Sequence, residues 1–210
     1  MSSSIRLTDQ KHEAILHAAI AEFRENGFQG TSMDKVALRA GVSKRTVYNH
    51  FPSKDELFAE IMAQLWRLSL ARIDLSYQPD RPLAEQLREL LWQKMRLLHD
   101  EHFLGLVRVA IAEMMHSPER AREMVTRLDE KEEAVGRWVR DAAADGRLKP
   151  LDPVFAAQQL QGLLKSFAFW PQLALGQPPL DQAAQTRVID GCVEMFLSCY
   201  GCDKTAGEPD

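Results

Sequence analysis

Two helical segments near the amino terminus are each only about two turns long, and the sequence RAGVS joins them. The first follows Thr31-Ser32 and stops at Gly41, whose backbone freedom suits a tight turn. Ser43 can cap the second segment, which reaches about His50. Isolated helices this short are marginal in water, so both must pack against a neighbouring helix. A short pair of this kind, braced by a preceding amphipathic helix, predicts a helix-turn-helix.

Helical periodicity with capping and stop residues continues through the 210-residue chain, and strand signals are nearly absent. We therefore expect an all-α protein of about nine helices. Thr8 can cap the first helix, which Asn26-Gly27 ends, and Ser53 and Glu56 have the spacing of a capping box at the start of the fourth. Later helices are predicted at about 82–99, 101–116, 118–145, 153–175 and 181–200.

Breaks in this pattern divide the chain. We predict a helix-turn-helix domain over residues 8–52, a connecting helix over 53–77, and a larger helical domain over 78–200. Residues 201–210 are expected to form a disordered tail.

Charge is distributed unevenly along the chain. The formal net charge is −4, but residues 28–54 contain five Lys or Arg side chains and one acid, Asp34, so this segment carries +4 and the remainder −8. Basic side chains release condensed counterions when they approach phosphates, while an acidic body discourages indiscriminate coating of nucleic acid. The distribution predicts that residues 28–54 belong to a head, an amino-terminal region that binds nucleic acid.

A helical wheel orients the second short helix. If Val47 points to the core, Phe51 lies about 40° away, whereas Arg45 and Asn49 lie about 160° and 200° away. Arg and Asn pair bidentately with guanine and adenine, respectively, in the major groove. Lys44, at the exposed start of this helix, is placed for a phosphate.

The segment ILHAAIAEFRENGFQGTSMDKVALRAGVSKRTVYNHFPSKDELF carries further features. These are the N-G-F exit, the T-S opening, the A-G-V-S turn, the Y-x-H-F run and the P-S-K-x-x-L-F entry. With them, residues 12–58 resemble the DNA-binding domain of the tetracycline-repressor family (TetR/AcrR type) of transcriptional regulators. The resemblance implies that Tyr48, His50 and Lys54 contact phosphates. The predicted DNA-binding residues are Thr31, Ser32, Lys44, Arg45, Thr46, Tyr48, Asn49, His50 and Lys54.

Residues 78–200 resemble the ligand-binding and dimerisation domain of the same family, through their helical content and length. The resemblance implies that helices 153–175 and 181–200 pair with those of a second copy. Two recognition helices about 34–36 Å apart would then reach successive major-groove turns of a palindromic operator. The candidate dimer residues are Leu160, Leu163, Leu164, Phe167, Val188, Cys192, Met195, Phe196 and Cys199.

The larger domain is rich in methionines and large aromatic residues, which suit an adaptable pocket for an apolar or aromatic small molecule. Ordinary core packing explains most of them equally well. The candidate ligand-binding residues are Met62, Trp66, Trp92, Met95, His99, Phe103, Met114, Phe167 and Trp170. In the family such a ligand typically releases a repressor from DNA, so we expect DNA, a second copy and a small effector as partners.

Other chemistry is weakly indicated. HDEH at 99–102 and EMMH at 113–116 resemble metal-ligand spacings, but di-iron bundles need the E-x-x-H motif twice. CYGC at 199–202 is a C-x-x-C that closes a helix instead of opening one. A regulator without a ligand, a regulator switched by cysteine oxidation, and a helical metal-carboxylate enzyme therefore stay open as alternatives. We predict a regulator and not an enzyme, without catalytic residues, metal or cofactor.

The amino-terminal sequence MSSSIRLTDQ lacks the apolar core of a signal peptide, and no run is long enough for a membrane-spanning helix. The three cysteines all lie near the carboxyl terminus, which is not the pattern of an extracellular disulfide framework. We expect a cytoplasmic protein.

Overall fold

A computed structural model describes residues 2–71, 76–117 and 134–202. These ranges are all-helical, as predicted, and their only β-type pairing is an isolated antiparallel bridge between Leu148 and Gly201. The helices are α1 (Ser2–Gly30), α2 (Met33–Arg39), α3 (Lys44–His50), α4 (Lys54–Ala71), α5 (Leu83–Leu98), α6 (Glu101–His116), α7 (Ala134–Ala144), α8 (Pro153–Ala168), α9 (Trp170–Ala174) and α10 (Gln182–Tyr200).

The first helix starts earlier than predicted. It begins at Ser2, so the expectation that Thr8 caps it is wrong. Residues 2–7 contain no glycine or proline that would end a helix before Thr8. The predicted end is confirmed: helical geometry breaks at Gly27, whose φ of 68° lies in the left-handed region.

The segment predicted as one helix over 153–175 is two helices. The first ends at Ala168, and Phe169 has a non-helical φ/ψ of −135°/−63° before α9 begins at Trp170. Pro171 explains the break, because a proline lacks the N–H that would continue the ladder and is tolerated only in a first helical turn. Of the helix predicted over 118–145, residues 118–133 lie outside the described residues.

The chain forms two compact units. The first comprises residues 1–68 and 101–129, and the second comprises 69–100 and 130–210. This grouping places α6 with the amino-terminal helices, whereas the sequence suggested that α6 belongs to the larger domain. The three-way division of the chain stays a prediction. Of the predicted tail, residues 203–210 lie outside the described residues, while the Cys202 N–H donates to the Arg147 carbonyl at 3.1 Å.

An aromatic cluster organises the core of the first unit. The rings of Phe23, Phe28 and Phe58 have centroids between 5.3 and 5.8 Å apart. They join the two sides of the break at Gly27 in α1 to the start of α4. Val47 of α3 is fully buried, and Phe51 is 5% exposed. Burial of these apolar side chains provides the packing that two helices of only seven residues need.

Two groups of buried polar side chains in the second unit are hydrogen-bonded. Gln86 is fully buried, and its side-chain oxygen accepts from the Gln78 N–H at 2.8 Å and from the Trp138 indole N–H at 3.3 Å. The Lys94 ammonium donates to the side-chain oxygen of Gln161 at 2.9 Å. These contacts hold α5 against α7 and α8, since a buried polar group without a partner is costly.

Candidate nucleic-acid interface

Side-chain caps begin both short helices, and the cap at Ser43 was predicted from the sequence. The Ser32 hydroxyl accepts from the Lys35 N–H at 3.3 Å, and the Ser43 hydroxyl accepts from the Thr46 N–H at 3.1 Å. Gly41 between them has a φ of 65°, which a residue with a side chain rarely adopts. Local chemistry therefore forms the helix-turn-helix geometry.

The orientation of α3 agrees with the helical wheel. Val47 faces the core, while Arg45, Tyr48 and Asn49 are exposed on the other side. The side chains of Arg45 and Asn49 make no hydrogen bond or ion pair to any residue that the structure describes. Their planar, polar ends are thus available to an external partner.

Two predicted phosphate ligands, Thr31 and Lys54, make hydrogen bonds within the first unit. The Thr31 side chain is 3% exposed, and its hydroxyl donates to the Gly27 carbonyl at 2.8 Å. The Lys54 ammonium donates to the carbonyls of Phe28 at 2.6 Å and Thr31 at 3.0 Å. It also lies 4.4 Å from the centroid of the Phe28 ring. Lys54 thereby links the start of α4 to the last turn of α1 and to Thr31 just after it.

An ion-pair network connects α2 to α1, and the sequence reading missed it. The Arg39 guanidinium lies 2.9 Å from Glu22 and 2.5 Å from Glu25. Glu22 is 6% exposed and also accepts from the Asn26 amide at 3.0 Å. The hydrogen bond from Arg39 lowers the pKa of Glu25. Contacts 14 or more residues apart leave no periodic signal, so only the fold reveals that Arg39 is structural.

Lys44, at the start of α3, is paired with the first turn of α2. Its ammonium lies 2.8 Å from one carboxylate oxygen of Asp34 and 3.0 Å from the other. Both side chains are 61% exposed. The hydrogen bond that Lys44 donates to Asp34 raises the pKa of Lys44, so this side chain is charged at neutral pH.

His50, at the end of α3, packs against α1. Its ring centroid lies 5.6 Å from that of His12 and 6.4 Å from that of Phe51. Burial lowers the pKa of His50, and the nearby His12 and Lys11 lower it further. His50 is therefore neutral at pH 7 and can act toward a phosphate as a hydrogen-bond donor, but not as a full positive charge.

The candidate ligand residues are distributed over both compact units. Met62, Trp66, Phe103 and Met114 belong to the first unit, and Trp92, Met95, His99, Phe167 and Trp170 belong to the second. Met62, Met95 and Phe103 are buried, whereas Phe167 and Trp170 are about half exposed. The His99 Nε2 is buried without a hydrogen-bond partner among the described residues, and burial lowers the pKa of this ring.

The candidate dimer residues divide by exposure. Leu160, Leu164, Cys192 and Phe196 are buried within the chain, Leu163 and Val188 are partly buried, and Phe167, Met195 and Cys199 are exposed. The seven-residue spacing of Cys192 and Cys199 places both on one face of a helix and predicts two small core residues; because Cys199 is exposed, this prediction is wrong for the single chain. Burial raises the pKa of the Cys192 thiol to about 11. A groove of about 370 Å³ lies between α8 and α10, with Leu163, Met195 and Cys199 in its lining.

The described residues contain neither a cluster of metal ligands nor a membrane-spanning helix. Within residues 2–71, 76–117 and 134–202, no group of three or more His, Cys, Asp or Glu side chains could hold a metal ion. None of the described helices is long and apolar enough to cross a membrane.

Two protein-family models match the sequence of this chain. Residues 15–61 match the sequence model described as bacterial regulatory proteins, tetR family, and residues 85–202 match the carboxyl-terminal domain of AefR-like transcriptional repressors. The chain belongs to the TetR family. The resemblance inferred from the motifs is confirmed, and the protein is a DNA-binding transcriptional regulator.

Similar TetR-family proteins extend over nearly the whole chain. The transcriptional regulator RutR of Escherichia coli K12 is 30% identical over 92% of this chain and 86% of its own length. A TetR-family regulator from Pseudomonas syringae is 52% identical, with a TM-score of 0.79 over 92% of this chain and 98% of that one. The flavonoid-responsive regulator FrrA is 28% identical, with a TM-score of 0.66 over 93% and 99% of the two chains.

Proposed function

We propose that this TetR-family protein is a homodimeric repressor that binds a palindromic operator and is released by a small apolar or aromatic ligand. One observation carries the DNA-binding part. Helix α3 buries Val47 and exposes Arg45 and Asn49, which have no partner among the described residues. A side chain already engaged inside the protein would have to break that contact before reading a base, whereas these two are available at no such cost.

Around Arg45 and Asn49, other exposed side chains would bind the phosphates of the DNA backbone. Tyr48 is 42% exposed and offers a hydroxyl, Ser32 is exposed at the start of α2, and Thr46 is partly exposed beside Ser43. Hydrogen bonds to phosphates position a protein on the duplex without reading sequence. Thr31 and Lys54 are left out of this set, because their polar atoms are used within the head.

Exposed apolar side chains on α8 and α10 support the dimer. Phe167 is 54% exposed and Met195 is 60% exposed, although both lie on helices whose opposite faces are buried. A second copy would cover such side chains. Dimerisation also presents two α3 helices to one operator, which increases affinity beyond that of one seven-residue helix.

Two observations support a small apolar or aromatic ligand. Large apolar side chains such as Trp92 and Met95 occur in the second unit, and FrrA is by its name responsive to flavonoids. The proposed ligand of this chain is a small molecule with an apolar or aromatic body. If the ligand binds the DNA-free conformation more tightly than the DNA-bound one by about 1–3 kcal/mol, that difference is enough to release a repressor.

A regulator switched by cysteine oxidation is the second candidate. Cys199 and Cys202 are exposed free thiols. Cys199 lines the groove between α8 and α10, the two helices proposed to form the dimer. Oxidation by a peroxide would place a polar group there. Loss of operator binding on mild peroxide treatment, absent in Cys199→Ser, favours this candidate; loss with a small aromatic ligand under reducing conditions favours the first.

Selection of bound fragments from genomic DNA tests the proposal. We expect a fragment with a two-fold symmetric footprint, bound by two chains as measured by analytical ultracentrifugation of the complex. A panel of apolar and aromatic small molecules should contain one that releases this fragment. Failure to enrich any fragment, or an asymmetric footprint from a single chain, contradicts the homodimeric repressor.

A further inference from the structure

Asp34 is unusual in its position and its charge. It is the only acidic residue between Phe28 and Lys54, the segment whose net charge is +4. Its carboxylate lies within 3.0 Å of the Lys44 ammonium, so a negative charge stands beside the first residue of α3. A surface selected only for affinity to phosphates would not carry an acid at this point, because the acid repels them.

Two other basic side chains of the segment, Arg39 and Lys54, are engaged differently. Arg39 contacts the nearly buried Glu22, and Lys54 donates to two backbone carbonyls. Those contacts hold the fold of the head. The Lys44–Asp34 pair differs, because both side chains are more than half exposed and the pair therefore contributes little to folding. An exposed ion pair of this kind is weak enough for a phosphate to displace its carboxylate.

We propose that Asp34 is a specificity-determining residue, which competes with DNA phosphates for the Lys44 ammonium. This inference rests on the proposed contact of α3 with DNA. Where α3 is seated in its operator, a phosphate is held close to Lys44 and replaces Asp34. In a loose complex with unrelated DNA, no phosphate is fixed there, and Lys44 stays with Asp34. Since non-specific binding is almost wholly electrostatic, the acid weakens it more than it weakens operator binding.

The variant Asp34→Asn tests this competition, because it keeps the shape of the side chain and removes the charge. Affinities are measured by fluorescence anisotropy for a selected operator fragment and for a shuffled fragment of equal length, between about 50 and 300 mM salt. For shuffled DNA we expect tighter binding by up to about eightfold near 0.1 M salt, and a log–log salt slope steeper by up to about 0.9. Operator affinity should rise less, so the ratio of the two affinities falls.

Two controls make the result specific. Asp141→Asn on α7 makes the same charge change at an exposed site of the second unit, and it should leave the ratio unchanged. In a Lys44→Gln background, Asp34→Asn should have a smaller effect, because the ammonium for which it competes is gone. An undiminished effect in that background overturns the proposal, as does lower or unchanged affinity for shuffled DNA in Asp34→Asn alone.

The variant Arg45→Ala distinguishes a failure of the Asp34 proposal from a failure of the proposed DNA binding by α3. If Arg45→Ala weakens operator binding while Asp34→Asn leaves the affinity ratio intact, only the role of Asp34 is wrong. If Arg45→Ala leaves operator binding intact, α3 is not the reading helix, and both proposals are wrong.

Discussion

Replacement of Gly41 by alanine perturbs the turn of the helix-turn-helix without touching a packed side chain. Gly41 has a φ of 65°, and a Cβ added there would meet no heavy atom within 4 Å. The cost of the change is therefore conformational and not steric. Gly136 in α7 provides a matched control: its Cβ would also meet nothing within 4 Å, but its backbone is helical.

The same added methyl group should have opposite effects at these two positions. In the left-handed region an alanine costs about 1–2 kcal/mol, while the loss of unfolded-chain entropy returns about 0.4–1 kcal/mol. Gly41→Ala should thus destabilise the first unit by about 1 kcal/mol. Gly136→Ala should stabilise its helix by about 0.5–1 kcal/mol, because alanine has the higher helix propensity.

Hydrogen exchange read by mass spectrometry measures both effects locally. Amides of α2 and α3 should exchange about fivefold faster in Gly41→Ala, and amides of α7 should exchange more slowly in Gly136→Ala. Affinity for a selected operator fragment should fall in the first variant only, since the turn sets the angle between α2 and α3. Equal stabilisation by both changes would refute the left-handed turn at Gly41.

Two further predictions concern titratable side chains. Cys202 should react with iodoacetamide in the native protein long before Cys192, whose thiol pKa burial raises to about 11, and peptide mass spectrometry showing equal labelling of the two would contradict this. Burial lowers the pKa of His50 below its ordinary value of 6.5, so its stabilising effect is complete above pH 6.5 and is lost as the pH falls through the folded value. As the pH falls below 6.5, the first unit should lose more stability in the wild type than in His50→Gln, as followed by urea denaturation; identical losses would contradict the partly buried, neutral imidazole.

Local chemistry explains why the head could be predicted from the sequence. The caps at Ser32 and Ser43 and the turn at Gly41 depend on neighbours within three or four residues, so the sequence contains the whole signal. The wheel of α3 works for the same reason, because Val47 sets the buried direction by helical spacing alone. The break at Pro171 was also local, and the sequence reading missed it only because apolar spacing continues across it.

Contacts between distant residues could not be predicted in this way. Lys54 has the composition of a phosphate ligand, but the fold places carbonyls from 23 and 26 residues earlier around its ammonium. Asp34 stood out as the lone acid of a basic segment, yet its pairing with Lys44 depends on how α2 and α3 pack. The seven-residue spacing of Cys192 and Cys199 predicts that they share a helix face. It does not predict that neighbouring helices bury both positions, and in the structure Cys199 is exposed.

The affinity of Arg45→Ala for a selected operator fragment tests most directly whether α3 reads DNA. Arg96→Ala, at an exposed arginine of α5, is the charge-matched control. We predict that Arg45→Ala weakens operator binding by about 5- to 150-fold, with relaxed preference at one base pair, because a bidentate contact to a base is worth about 1–3 kcal/mol. Arg96→Ala should bind as the wild type does. Equal affinities of the two variants, with preference unchanged at every position of the operator, would contradict DNA reading by α3.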